Sequence, residues 1–206
     1  MWYPLLIGLL AGYLLGNLNG AVCISTLKAK EDVRSHGSGN AGLTNFVRSY
    51  GTGSAVLVIA IDAAKTALAC LLGGLLLAPY GLAVEGKMLG GVAVTLGHNF
   101  PATLGFHGGK GIMCGAVIAL CVDWRIFLIL FLIFALVVAL TRFVSLASVM
   151  VSAGFGICFA LFYWDRPWVV ACAAFLALLA IFMHRKNISR LLKGTESKLN
   201  LKGRPA

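Results

Sequence analysis

Gly105-Phe106-His107-Gly108-Gly109-Lys110-Gly111 is a polar, glycine-dense stretch set between long apolar runs. Glycine lets backbone N–H groups turn toward a ligand and lets the chain approach it closely. The lysine supplies a compact positive charge suited to phosphate. The expectation is an anion-holding loop in which amides near Gly108, Gly109 and Gly111 act beside Lys110. It is not a Walker A loop: Gly105 stands one residue too close to the Gly-Lys pair, and Gly111 occupies the hydroxyl position.

Other segments carry compatible chemistry. Gly37-Ser38-Gly39-Asn40-Ala41-Gly42 spells G-x-G-x-x-G, with Asp62 twenty residues beyond Gly42. A dinucleotide site needs a strand–turn–helix setting. Here the charged segment Lys28 to His36 precedes the motif and Asp62 falls in an apolar run, which excludes it. The anion chemistry survives: a turn of Ser38, Gly39 and Asn40 exposes N–H donors. Thr44, Asn45 and Arg48 follow at near-helical spacing, and Arg48 could grip a phosphate with two donors. Ser145 and Ser148 share a helix face at i, i+3, where either could instead be an N-cap. His98 and His184 flank polar segments and could orient a phosphate or act as a base. None of the four histidines has an Asp five residues on. Asp62 and Lys65, at i, i+3, read as an intramembrane ion pair, functional or structural.

These residues sit in a chain that must be read as membrane protein. It has 206 residues, is 60% hydrophobic and has a mean hydropathy of +0.92, far above a soluble domain. Seven spans are predicted, near 4–27, 53–78, 83–100, 111–122, 126–141, 145–164 and 167–184, in one all-α domain. With the N-terminus outside, thirteen basic residues, including Lys202 and Arg204 of the tail, face the cytoplasm and only Lys87, Arg125 and Arg166 face out. The fourth span is short enough to be re-entrant, but unless it crosses, the basic 28–51 loop and the basic tail fall on opposite sides. The seven-span arrangement pools the polar segments on the cytoplasmic face. The net charge of +10 is gathered there, unlike the basic soluble face of a nucleic-acid binder. The tail from His184 mixes basic residues with Ile188, Leu191 and Leu192, as an interfacial segment does. The six cysteines form no CxxC or Cys/His cluster and read as small apolar residues, so no metal or disulfide is expected. The N-terminus lacks the basic residues of a signal peptide, and the first span is expected to be retained.

Four segments together resemble the bacterial acyl-phosphate-dependent glycerol-3-phosphate acyltransferase family: GSGNAGLTNFVRSYG (37–51), GHNFPATLGFHGGKGIMCG (97–115), TRFVSLASV (141–149) and HRKNISRLLKGTESK (184–198). The resemblance implies a multi-pass protein of the bacterial inner membrane, using no cofactor. It implies transfer of a fatty acyl group from acyl phosphate to the 1-position of glycerol 3-phosphate, giving lysophosphatidic acid and phosphate. Ser38, Arg48, Lys110, Ser148, His184, Asn187 and Glu196 match its functional positions, and Gly108, Gly109 and Gly111 match its phosphate loop. Leu43, Thr66 and Met113-Cys114 depart from the family pattern without removing a polar residue assigned to chemistry. The expected partners are the two substrates, membrane lipid and the soluble enzyme that makes acyl phosphate. An organic-phosphate transporter and a non-catalytic membrane scaffold are the rival readings; a transporter should place its cations near the midplane.

Overall fold

The computed structural model describes residues 2–199 and is built from helices, with no strand among them. Lys202 and Arg204, counted with the basic tail, lie outside the described residues. The first predicted span is broken in two. Helix α1 (Trp2–Gly16) stops at Asn17-Leu18-Asn19, and α2 (Gly20–Ala29) restarts with the Asn19 side chain capping Val22 N at 3.0 Å. Two asparagines flanked by Gly16 and Gly20 favour a turn over continued helix, which is the physical reason for the break. A short helix, α3 (Leu43–Tyr50), follows the first polar loop and leads into α4 (Ala55–Leu77) and α5 (Ala83–Asn99).

Helices α1, α4 and α5 pack almost backbone to backbone. A Cβ on Gly97 would collide with Tyr13 O, and one on Gly90 would collide with Ala69 O. Small residues that let helix backbones touch are a characteristic membrane packing device. A second group follows: α6 (Ile112–Val122), α7 (Trp124–Thr141), α8 (Val144–Phe162) and α9 (Pro167–Met183). Helix α6 touches α4, α5, α7 and α8 and so joins the two groups. The last helix, α10 (Arg185–Leu192), turns by 56° from α9 and carries the tail back toward α8.

The outside is greasy and the inside is partly polar. Leu10, Leu75, Leu136 and Leu161 are exposed, whereas Asp62, Lys65, His98 and Ser148 are buried. That inversion suits a lipid surround. Four spans, α1 and α2 together, α4, α7 and α8, are long and apolar enough to cross a membrane, and the bent α9–α10 pair makes five. Helix α6 reaches only about 16 Å at 1.5 Å per residue.

Gly97→Ala should therefore lower the thermal midpoint of the detergent-solubilised protein, at a cost of about 1–3 kcal/mol typical of overpacking. Gly53→Ala is the control, since a Cβ there meets nothing within 4 Å, and it should leave the midpoint unchanged.

Candidate active site

A cavity of about 460 Å³ lies where the polar loops meet the bundle. Its polar end gathers residues far apart in sequence: Ser38 and Arg48, Lys110, Ser148, then His184, Asn187 and Glu196. Its other end is apolar, walled by Phe127, Leu130 and Phe134 of α7, Val151 and Phe155 of α8, and Leu176 of α9.

A chain of contacts fixes the polar end. Lys110 Nζ donates to Asn187 Oδ1. Asn187 Nδ2 donates to Glu196 Oε1 at 2.8 Å, and Arg190 Nε donates to Glu196 Oε2 at 2.6 Å. Arg48 reaches the same tail, donating to Ser197 O at 3.2 Å. Burial lowers the Lys110 ammonium to about 8, and Arg190 and Arg48 push it the same way against the pull of Glu196. Burial alone would raise the Glu196 carboxyl; the hydrogen bonds from Arg190 and Asn187 help overcome that and hold it below the usual carboxylate range. His184 donates from Nδ1 to Ala180 O at 2.8 Å, so in the neutral ring Nε2 is the acceptor.

The glycine loop is organised differently from the sequence expectation. Gly108 N donates to Asn99 O at 3.1 Å and Gly109 N to His98 O at 3.0 Å. Those amides therefore satisfy the last carbonyls of α5 and are not free for a ligand. Both glycines are required by closeness: a Cβ on Gly108 would strike His98 O, and one on Gly109 would strike His98 Nε2. Only Gly111, at φ 80°, needs left-handed backbone among these three. The cavity wall includes Lys110 and Gly111 but neither Gly108 nor Gly109.

The first loop shows the same economy. Ser38 N donates to Asn45 Oδ1 at 2.8 Å, and Gly39 N to His36 O at 3.0 Å. The Asn45 amide also donates to Val33 O at 2.9 Å and His36 O at 3.0 Å, so it braces the turn although it lines the cavity. Gly39 stands outside the wall; Asn40 lines it and donates to Gly108 O at 3.3 Å. Amide donors are offered to the cavity instead by two helix starts. Helices α3 and α6 begin at Gly42 and Gly111 without a side-chain cap, and both starts, with Thr44 in the first turn of α3, face the cavity. Uncapped N-terminal amides attract anions. A glycine where Ser, Thr, Asp or Asn is the usual cap was the available sequence signal.

Neither Ser145 nor Ser148 is an N-cap; that position is Phe143. Ser148 Oγ donates to Val144 O at 2.8 Å, whereas the buried Ser145 Oγ makes no such bond among the described residues. His98 is buried against the Asp62–Lys65 pair, with its ring at the cavity wall.

The family model for glycerol-3-phosphate acyltransferase matches residues 6–194. This chain belongs to the glycerol-3-phosphate acyltransferase family. The acyltransferase of Thermoanaerobacter pseudethanolicus is 41% identical, over 97% of this chain and 98% of that protein. The glycerol-3-phosphate acyltransferase of Mesorhizobium japonicum is 34% identical over 98% and 100%. The fold matches the crystal structure of PlsY (YgiH), an integral membrane glycerol 3-phosphate acyltransferase, in its glycerol 3-phosphate form. That match has a TM-score of 0.85 and 31% identity, covering 95% of this chain and 96% of that one. Its lysophosphatidic acid form matches at 0.81 and 30%, over 96% of each chain.

In this acyltransferase fold, Lys110 should react with an amine reagent with a midpoint near pH 8, well below an exposed lysine at about 10.4. Adding inorganic phosphate should raise that midpoint, because an anion favours the charged form. Peptide mapping across a pH series checks both.

Proposed function

We propose that this protein transfers a fatty acyl group from acyl phosphate to the 1-position of glycerol 3-phosphate, releasing phosphate and lysophosphatidic acid. The observation that carries the reading is one cavity with a cationic end and an apolar end. Two uncapped helix starts, Arg48 and Lys110 supply enough donors for two phosphates side by side. The apolar end takes the acyl chain.

The glycerol hydroxyl oxygen attacks the acyl carbonyl carbon, and the bond from that carbon to the phosphate oxygen breaks. The hydroxyl proton passes to a phosphate oxygen of the substrates. Lys110 and Arg48 neutralise the charge that gathers on the leaving phosphate, and Asn187 orients the lysine. Acyl phosphate is a mixed anhydride with a good leaving group, so positioning and charge stabilisation carry the rate. No acyl-enzyme forms: the Ser148 hydroxyl is bonded to backbone and meets no base among the described residues.

We place the chain across a bacterial inner membrane seven times, N-terminus outside, with the cavity's polar end on the cytoplasmic side. The basic residues of the polar loops and of α10 support that orientation. The short α6 then crosses as the fourth span between longer neighbours. A soluble enzyme making acyl phosphate would deliver it from this side.

Purified protein should release phosphate from palmitoyl phosphate only when glycerol 3-phosphate is present, and should not accept palmitoyl-CoA. Lys110→Ala and Arg48→Ala should each lower kcat/KM by about a hundredfold or more, the loss of a charge-assisted contact worth about 3 kcal/mol. Equal use of the CoA ester, or silent variants, would overturn the reading.

A further inference from the structure

The buried cation of α4 is not absorbed by the chemistry above. Lys65 Nζ pairs with Asp62 Oδ1 at 2.8 Å, yet it also leaves its own helix. It donates to Leu18 O and, at 3.4 Å, to Gly16 O, the carbonyls freed by the break between α1 and α2. Asp62 Oδ1 accepts from Gly20 N at 3.1 Å, on the far side of the same break. The ammonium also meets His98 Nδ1 at 2.9 Å, closer than Gly16 O, so its three N–H groups are shared among four acceptors. An ammonium can only donate. His98 Nδ1 must therefore accept, and the ring proton belongs on Nε2, the atom against which the Gly109 backbone is laid.

The break is itself tied to both polar loops. Asn19 Nδ2 donates to Ala41 O at 2.9 Å, in the first loop. Asn17 Oδ1 accepts from Thr103 N at 3.1 Å, and Tyr13 Oη donates to Phe100 O at 2.9 Å, both in the second. An apolar pair of similar volume would fold a helical bundle at least as well as a buried ion pair. It would not hold two backbone carbonyls and a histidine ring in one arrangement.

We infer that Lys65 is a positioning residue for the acyl transfer. Anchored by Asp62, it locks the broken first helix and the His98 ring together, and so sets the seat on which the Gly108–Gly109 backbone carries Lys110 into the cavity. The inference rests on the proposed function only for its kinetic readout. Its geometric consequence is that loss of the lock loosens Lys110 from Asn187 and lets water reach it. Lys110 is faced there by Arg48 of α3, His184, Arg190 of α10 and Glu196 of the tail, none of which the lock touches.

The test uses the full-length protein with Asp62→Asn and Lys65→Met combined, so that no charge is left orphaned. With helicity and monodispersity retained, the pH midpoint of Lys110 modification should rise by a unit or more. kcat should fall about tenfold or more, as misplacement far from the reacting atoms can cause, while KM for glycerol 3-phosphate changes less than about threefold. A midpoint still near pH 8, or activity falling only with the folded fraction, overturns the inference. If the double variant does not assemble, His98→Asn carries the same readout, because it keeps an acceptor for Lys65 and removes the ring under Gly109. The modification assay needs no substrate. A wild-type protein that fails to turn over acyl phosphate would sink the proposed function alone, and the Lys110 midpoint would still decide this inference.

Discussion

A cation kept half out of water is the constraint around which this molecule is arranged. Desolvating an ammonium costs several kcal/mol unless partners replace its water. For Lys110 the replacement is the Asn187 amide, whose other end is held by Glu196, itself held by Arg190. The lysine stays reactive toward an anion because its own partner is neutral. A carboxylate in direct contact would have satisfied it and repelled phosphate. Glu196 instead acts at one remove, holding Asn187 in place without hydrogen-bonding the lysine itself.

That arrangement demands long-range organisation. Lys110 and Asn187 are 77 residues apart and come from opposite halves of the bundle. The glycine contacts of α1, α4 and α5 make one half rigid, and α6 couples it to α7, α8 and α9. The 56° turn between α9 and α10 brings Asn187 and the tail back over the cavity. The apolar and ionic ends are then parts of one cavity, the shape that the proposed reaction of a charged headgroup on an apolar chain requires.

Much of this was legible in the residues. Apolar run lengths gave the helices, and the glycine-flanked Lys110, the Ser38–Arg48 segment and the His184–Glu196 tail could be singled out before any geometry. The Asp62–Lys65 spacing announced the ion pair that the fold contains. Local sequence could not say where Lys65's remaining donors go, because those partners are backbone carbonyls 47 and 49 residues away. The break at Asn17–Asn19 is hidden because the run around it is apolar enough to read as one span, although Gly-Asn-Leu-Asn-Gly carries turn chemistry. The roles of Gly108 and Gly109 are hidden for a related reason. Glycine signals either an open amide or a close approach, and only the position of α5 decides between them.

The polar end depends on Lys110 and Asn187 acting as one unit, which a double-mutant cycle measures directly. Lys110→Ala, Asn187→Ala and the double variant would be compared by kcat/KM in phosphate release from palmitoyl phosphate with glycerol 3-phosphate. Groups that act as a unit are strongly non-additive. The double variant should therefore lose little more than the worse single variant. If the two single losses simply multiply, the residues act independently and the polar end is not organised as described.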